Sequence, residues 1–170
     1  MNISSLEKKD FDSLFEIMTQ SFPPEEYRKK EKQYALLDDP KYKLTVLKED
    51  NKISGFIAAW NLSDFIFIEH LAITPVKRNK GVGSAFVAQY LKESDLPIVL
   101  EVENKVDEIS LRRINFYKRL GFVLTDICYN QPNFSDSDTV IPLKIMYYSK
   151  ESFPTLSRVE ETIFRDIYKK

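Results

Sequence analysis

The chain is poor in the residues that bind metals, form disulfides or permit unusual backbone conformations. Its 170 residues include one cysteine, Cys128, one histidine, His70, and only four glycines. A single cysteine excludes an internal disulfide, and one cysteine with one histidine leave too few ligands for a zinc site, so we expect no metal. No apolar run approaches the length of a membrane span. The sequence after Met1 is polar and charged, unlike a signal peptide, so we expect a cytoplasmic protein.

An excess of charge of one sign is also missing. The 25 lysines and arginines nearly balance the 26 aspartates and glutamates, which gives a net charge of −1 and a pI of about 6.0. No general basic field is therefore available to recruit nucleic acid or an anionic membrane, and we expect neither as a partner. The length and the 43% apolar content predict one globular domain with a sizeable core.

Hydrophobic periodicity predicts alternating helices and strands, typical of an α/β domain. Helices are predicted from Phe11 to Phe22 and from about Pro24 to Leu37. Three strand-like runs joined by short polar turns then predict an antiparallel meander. The three runs cover 43–47, 53–60 and 65–73. After them we expect a glycine loop with a helix, a strand at 97–103, a helix at about 107–120 and a closing pair of strands. The chain then ends in a predicted C-terminal helix, which has on one face Leu156, Val159, Ile163 and Ile167. We expect one domain over 1–170, with a core of about 1–149 and a helical extension of about 150–170.

The glycine loop is the most informative stretch. RNKGVGSAF, residues 78–86, holds two of the four glycines, Gly81 and Gly83, between a strand and an amphipathic helix. The uncapped amides of a helix N-terminus beside Arg78 suit an anionic phosphate. The chain has no Walker A pattern, and Phe86 stands where a Rossmann fingerprint needs a small residue. Taken alone, R-x-x-G-x-G also fits an ordinary strand-to-helix turn.

A longer stretch of the sequence around this loop favours a phosphate-binding loop over an ordinary turn. IEHLAITPVKRNKGVGSAFVAQYL (68–91) resembles the pyrophosphate-binding motif of the GNAT superfamily of N-acetyltransferases, and RRINFYKRLGF (112–122) is similar to its second signature. The order of elements matches over residues 3–148, and EVEN, YNQP and IPLKIMYY are similar to a bacterial branch. The resemblance implies a GNAT acyltransferase fold, a mixed central sheet splayed between its fourth and fifth strands, with helices on both faces and an added C-terminal helix.

The resemblance also implies that acetyl-CoA is the cosubstrate. Backbone amides of the loop would hold the pyrophosphate, the pantetheine arm would enter the splay, and the Leu71 N–H would polarise the thioester carbonyl. The sequence departs from the family where an asparagine and an alanine are usual, at Ser110 and Arg113, and Asn104 is a substitute for the asparagine contact. The cofactor-binding residues implied are Leu71, Ala72, Ile73, Arg78, Asn79, Lys80, Gly81, Val82, Gly83, Ser84, Asn104, Ser110 and Tyr117.

Tyr117 matches the family position of the acid that protonates the departing thiolate. A phenol with a pKa of about 10 can donate to a thiolate of pKa about 8.5. Spacing alone also allows Tyr117 to be one more aromatic residue on a buried helical face, beside Phe116.

Glu69 is the first candidate for the general base, because a carboxylate in an apolar central strand is costly unless it is functional or paired. Glu101 is a second catalytic candidate, and Glu103 shares its strand face. Period-2 alternation predicts that Glu69 shares a face with Leu71 and that His70 lies on the opposite face, packed or exposed. The structural alternative for Glu69 is an ion pair with an arginine or lysine.

The function implied is transfer of an acetyl group from acetyl-CoA to a primary amine, on a small molecule or a peptide. Glu25 and Glu26 at the joint of the first helices, with the strand carboxylates, predict a cationic acceptor. Two alternatives stay open: a non-catalytic acyl-CoA-binding module, and an interaction domain that docks a partner through the C-terminal helix. We expect a monomer or a homodimer.

Overall fold

A seven-stranded mixed sheet organises the part of the chain that the computed structural model describes, residues 2–104, 107–131, 141–151, 153 and 155–168. The strands are β1 (Asn2–Ser5), β2 (Tyr42–Glu49), β3 (Lys52–Asn61), β4 (Ile66–Ile73), β5 (Ile98–Glu103), β6 (Val123–Gln131) and β7 (Ile141–Tyr148). The helices are α1 (Phe11–Ser21), α2 (Lys30–Ala35), α3 (Val82–Glu93), α4 (Glu108–Arg119) and α5 (Leu156–Ile163). The strand order across the sheet is β1-β2-β3-β4-β5-β7-β6.

The predicted second helix is not a continuous helix in the structure. In place of a helix from about Pro24 to Leu37, a 3-10 turn at Pro24–Glu26 is followed by extended residues and then by α2. Tyr27 is extended, with φ −140° and ψ 159°, and its ring packs edge-on against Phe15 at 5.9 Å between centroids. Tertiary contacts of residues 27 and 28 therefore override the helical propensity of a charged segment.

The predicted meander is confirmed: β2, β3 and β4 pair antiparallel in chain order. The two-residue turn between β2 and β3 places Asp50 and Asn51 at positive φ, 49° and 60°, as a tight hairpin of this hand requires. β1 extends the sheet beside β2, and the last two strands pair antiparallel with each other. The polar connection predicted between those last strands lies outside the described residues.

The predicted splay between the fourth and fifth strands is also confirmed. β4 and β5 pair in parallel at only three positions, Ile66 with Ile98, Phe67 with Val99 and Ile68 with Leu100. Beyond these pairs β4 stays on β3 and β5 stays on β7. The two strands therefore separate into a wedge between residues 69–73 and 101–103.

Helices cover both faces of the sheet. One buried cluster contains residues of α1 with Val159, Ile163 and Ile167 of the C-terminal segment, all three fully buried. The other contains residues of α3 and α4, among them Phe86 and Tyr117. Three of the four residues predicted for the apolar face of the C-terminal helix thus pack on its own domain, whereas the fourth, Leu156, is partly exposed and belongs to neither cluster. After α5 the chain continues as a π-helical turn, Phe164–Tyr168, which carries the C-terminal segment back toward the wedge.

Candidate active site

A cavity of about 280 Å³ fills the wedge between β4 and β5. Its walls come from both diverging strands, from α4, from the segment after α1 and from the C-terminal turn. The lining residues are Ser21, Phe22, Glu26, Ile68, Glu69, His70, Leu71, Ala72, Ile73, Arg78, Leu100, Glu101, Glu103, Arg113, Tyr117, Gln131, Leu143 and Tyr168. The cavity therefore brings together all three predicted catalytic residues.

A β-bulge in β4 sets the direction of Glu69. His70 pairs with Ala58 and Ile68 pairs with the next residue of β3, Ala59, so Glu69 has no partner of its own on β3. An extra residue interrupts the period-2 alternation of a strand. The prediction that Glu69 and His70 face opposite sides is consequently wrong: their side chains are neighbours, with 3.6 Å between Glu69 Oε2 and His70 Nδ1.

Glu69 forms a buried ion pair. Arg28 Nη1 donates to Glu69 Oε1 at 2.8 Å, and the two side chains are only 5% and 4% exposed. The guanidinium also lies 5.8 Å from the centre of the Trp60 ring and 3.5 Å from the carbonyl oxygen of Ile167. The structural alternative for Glu69 is thus realised, because a fixed positive charge holds this carboxylate.

His70 is buried and held in one tautomer. Its Nε2 lies 2.7 Å from the backbone carbonyl oxygen of Glu26, and because a carbonyl can only accept, Nε2 carries a proton and donates. The ring packs edge-on against Phe22 at 4.8 Å between centroids. Burial lowers the pKa of His70 more than the nearby Glu69 carboxylate raises it, so the imidazole is neutral at neutral pH.

Glu101 binds a proton more tightly than an ordinary glutamate. Burial raises the pKa of Glu101 to about 7, against the opposing effect of two hydrogen bonds. Tyr168 Oη donates to Oε2 at 2.5 Å, and Tyr129 Oη donates to Oε1. A carboxyl group that changes protonation near neutral pH, inside a cavity, has the properties of a general base.

Tyr117 lies in the last turn of α4 with its side chain 8% exposed. Burial raises the pKa of Tyr117 to about 12, so the phenol is protonated at neutral pH. The turn after the helix fixes this position: Gly121 has φ 93°, and the Phe122 N–H donates back to the Tyr117 carbonyl. The Phe122 ring then packs on Tyr117 at 5.4 Å. The glycine predicted to end this helix is confirmed.

The glycine loop leads into α3 through residues of positive φ. Asn79 and Gly81 both have positive φ, 60° and 74°, and Gly81 is the N-cap of α3. Within the described part of the chain no side chain caps this helix end, so its first amide groups stay available. A Cβ on Gly81 would meet nothing within 4 Å, whereas one on Gly83 would lie 3.4 Å from Ile73 Cγ1. Gly83 thus sits where α3 meets the end of β4.

The residues implied for the cofactor divide into two groups. Leu71, Ala72, Ile73, Arg78 and Tyr117 line the cavity, whereas the residues from Asn79 to Ser84 form the neighbouring loop and start of α3. Arg78 joins the two groups, because its Nε donates to the Ile73 carbonyl at 2.9 Å.

Ser110 and Asn104 instead contact residues that do not line the cavity. The Ser110 N–H is capped by Asp107 at 2.8 Å, and Asn104 Nδ2 lies 3.3 Å from Cys128 Sγ. Neither residue lines the cavity, so the geometry gives no support to either as a pantetheine contact.

Three residues of the site escape sequence reasoning: Arg28, Tyr129 and Tyr168. Arg28 is one of many charges in a segment that reads as a surface helix, and nothing local marks it as buried. The tyrosines lie in β6 and in the C-terminal turn, remote from both motifs. The sequence does indicate that the carboxylates in the central strands need partners, because a buried carboxylate is costly without one. It does not indicate which residues are those partners.

Among the described residues, no group of three or more histidine, cysteine, aspartate or glutamate residues is arranged to hold a metal ion. Nor is any helix among them both long and apolar enough to cross a membrane.

Comparison with known proteins identifies a family and similar structures. The model of the acetyltransferase (GNAT) family matches residues 11–122. A structure described as an acetyltransferase of the GNAT family from Bacteroides thetaiotaomicron superposes with a TM-score of 0.91 at 30% identity, covering 100% of this chain and 99% of its own. No curated protein matches the sequence significantly.

More distant structures share the fold. The ribosomal-protein-S18-alanine N-acetyltransferase of Escherichia coli gives a TM-score of 0.66 at 21% identity, over 91% of this chain and 97% of its own. The yncA acetyltransferase of Salmonella typhimurium, solved with acetyl-CoA, gives 0.66 at 15% identity, over 91% and 96%.

Proposed function

This chain belongs to the GNAT family of acetyltransferases, and from that premise we propose that it transfers an acetyl group from acetyl-CoA to a primary amine. The amine attacks the thioester directly: a bond from nitrogen to the acetyl carbon forms as the bond from that carbon to sulfur breaks. One observation carries the proposal. The wedge between β4 and β5 holds a carboxyl group with a pKa of about 7 and a protonated tyrosine in the same cavity.

The residues present fit acetyl-CoA, which when bound supplies the activated acetyl thioester. The uncapped N-terminus of α3 and the open space beside Gly81 suit a pyrophosphate. Arg78 adds a positive charge at the end of β4, next to that loop. The wedge exposes the edge of β4 over 69–73 to an extended pantetheine arm, where the Leu71 N–H is the proposed donor to the thioester carbonyl.

Glu101 is the better base of the two strand carboxylates. Its carboxyl group has a pKa of about 7, so it can both accept and release a proton at physiological pH. Glu69 is already held by Arg28, whose Nη1 lies 2.8 Å from Glu69 Oε1. We therefore assign removal of the amine proton to Glu101 and a binding role to Glu69.

Tyr117 is the acid. Its hydroxyl is protonated at neutral pH and lies in the cavity wall on α4. Proton donation from Tyr117 Oη to the departing sulfur balances the proton that Glu101 accepts from nitrogen. Solvent then restores both groups.

A module that binds acyl-CoA without turnover would need no catalytic groups in the wedge. Tyr117, Glu69 and Glu101 all line it, which favours the enzyme. The interaction-domain alternative has less support, because Val159, Ile163 and Ile167 of the C-terminal segment are fully buried in its own domain.

The test is free-thiol release from acetyl-CoA with a panel of primary amines, including alkylamines, amino sugars and peptide amines. We expect amine-dependent release at a rate well above hydrolysis. Acetyl-CoA binding by calorimetry, with no release for any amine, would leave only the binding module.

A further inference from the structure

Two buried acceptor atoms face each other in the cavity with no hydrogen-bond partner among the described residues. They are Glu69 Oε2 and His70 Nδ1, 3.6 Å apart, on side chains that are 4% and 3% exposed. Leaving a buried polar atom unpaired costs about 1–3 kcal/mol. Two such atoms side by side indicate a place where a donor group completes the site.

Both atoms are acceptors. His70 Nε2 carries the proton that it donates to the Glu26 carbonyl, so the neutral ring presents a lone pair at Nδ1. Glu69 is oriented by Arg28 through Oε1, which leaves Oε2 directed at the imidazole. A carboxylate oxygen and a ring lone pair at this distance repel one another unless a donor approaches both.

The charges around this pair favour a cation. Glu101 lies near enough to Glu69 for the two charges to interact, and Glu103 also lines the cavity. The cavity is lined by four glutamates, Glu26, Glu69, Glu101 and Glu103, and by two arginines, Arg78 and Arg113. With Arg28, which pairs with Glu69, three arginines stand against four carboxyl groups. A primary ammonium group brings three donors and one positive charge, which matches two acceptors in an acidic pocket.

We propose that Glu69 Oε2 and His70 Nδ1 form the subsite that receives the ammonium group of the acceptor, an inference that rests on the acetyltransferase function proposed above. The acceptor is accordingly a primary alkylammonium or a peptide N-terminal ammonium, bound as a cation. Glu101 takes one proton from that nitrogen and releases it to solvent, and the neutral amine attacks the thioester. The second proton that the nitrogen loses as the amide forms passes to Glu101, while Tyr117 protonates the departing sulfur. A quaternary ammonium carries the charge but has no N–H, and an alcohol has only one donor and no charge.

The single histidine makes a direct test possible, because its imidazole nitrogen NMR signals need no assignment. The full chain saturated with coenzyme A is titrated with butylamine, cadaverine and glycylglycinamide, and with butanol and tetramethylammonium as controls. We expect a bare Nδ1 at neutral pH whose signal moves saturably toward a hydrogen-bonded value with at least one primary amine and with neither control. A protonated Nδ1 in the free protein, or a signal that no primary amine moves, overturns the proposal.

Kinetics of two variants add a second measurement. His70→Gln keeps a donor for the Glu26 carbonyl but removes the ring acceptor, and Glu69→Gln removes the charge. For each, we expect the KM for an alkylamine to rise about 10- to 100-fold, the value of one hydrogen bond to a charged group. The KM for methoxyamine, which is neutral at neutral pH, should rise less than the KM for the alkylamine, because methoxyamine has no charge for the pair to bind.

Glu103→Gln is the matched control, because it removes a carboxylate of the same cavity that forms an ion pair with Arg113, at 3.7 Å. Equal rises in KM for Glu103→Gln and Glu69→Gln would show only a general effect of cavity charge, and would overturn the subsite. If the unaltered chain releases no thiol with any amine, the acetyltransferase function is refuted. The NMR result on His70 would stand independently of that outcome.

Discussion

The Tyr168 hydroxyl donates a 2.5 Å hydrogen bond to Glu101 Oε2, across 67 residues of sequence. The C-terminal turn thereby reaches the carboxyl group that we assign as the general base. Tyr129, from β6, donates to the other oxygen, and the Phe164 ring packs against both tyrosines at 5.2 and 5.5 Å. The C-terminal segment is therefore a wall of the site as well as part of the core.

Removing the Tyr168 hydroxyl should shift the pH dependence of catalysis. The hydrogen bond stabilises the charged carboxylate and lowers the pKa of Glu101, so its loss in Tyr168→Phe raises that pKa above about 7. The ascending limb of kcat/KM then moves to higher pH. Since one pKa unit changes the ionised fraction tenfold, we expect kcat/KM below neutral pH to fall by up to about tenfold, with recovery at alkaline pH.

Tyr34→Phe provides the control for that profile, because Tyr34 is 42% exposed and does not line the cavity. An unshifted limb in Tyr168→Phe would mean that another group sets the observed pKa.

Glu101→Gln should make the protein more stable at alkaline pH. The pKa of Glu101 is about 7 in the folded chain, above the ordinary value of 4.5. The folded state therefore binds the proton more tightly than the unfolded state, and stability falls as pH rises from 4.5 to 7. Replacing Glu101 removes this penalty, so the free energy of unfolding near pH 8 should rise by at most about 3 kcal/mol.

Urea unfolding at several pH values measures this effect. The free energy of unfolding of Glu101→Gln should exceed that of the unaltered chain at alkaline pH, and this difference should disappear at acid pH. Glu103→Gln is the comparison. A Glu101→Gln variant that gains nothing at alkaline pH relative to acid pH would contradict a raised pKa. The same variant should lose about 10²–10⁴-fold in turnover if Glu101 is the base.

Most of the fold follows from local patterns in the sequence. The hairpin at Asp50 and Asn51, the stop at Gly121 and the strands of the meander are short-range features, and each is where its pattern predicts. The splay came from the resemblance and is confirmed by the limited pairing of β4 with β5.

The parts that failed depend on contacts between distant segments. Alternation along β4 predicts the wrong side for His70 because the bulge depends on how β3 pairs with it, which no residue of β4 reveals. Arg28 leaves its predicted helix to reach Glu69, 41 residues away. Tyr168 could be seen as helical, but its place beside Glu101 requires the packing of the whole C-terminal segment.

Tyr117→Phe tests the acid. The variant keeps the ring and its contacts with Phe122 but loses the donor, so turnover should fall by about 10²–10⁴-fold while coenzyme A affinity is nearly kept. Tyr90→Phe is the matched control, because burial also raises the pKa of Tyr90 to about 12 but Tyr90 does not line the cavity. Undiminished turnover in Tyr117→Phe would make Tyr117 a core residue only.

Gly83→Asp tests the cofactor loop. A Cβ at this position meets Ile73 Cγ1 at 3.4 Å, an ordinary contact, and an acid near a helix N-terminus is favourable, so the chain should fold. The carboxylate should nevertheless repel the pyrophosphate and abolish acetyl-CoA binding in calorimetry. Gly83→Asn has the same shape without the charge and should bind more tightly than Gly83→Asp. Unchanged affinity in folded Gly83→Asp would remove the loop from the cofactor site.

Arg28→Met tests whether the buried ion pair holds the acceptor end of the cavity. The substitution keeps an apolar stem beside Trp60 but leaves Glu69 buried without its charge partner. Breaking a buried pair from one side lowers the free energy of unfolding by about 3–5 kcal/mol.

Arg112→Met is the comparison, because its pair with Glu108 is on the helix surface, with both side chains 77% exposed. That change should lower the free energy of unfolding by about 0.5 kcal/mol or less. Adding Glu69→Met to Arg28→Met should restore most of the stability, since two apolar side chains leave no buried charge. A double variant as unstable as Arg28→Met would show that packing of the arginine stem, and not its charge, stabilises this end of the site.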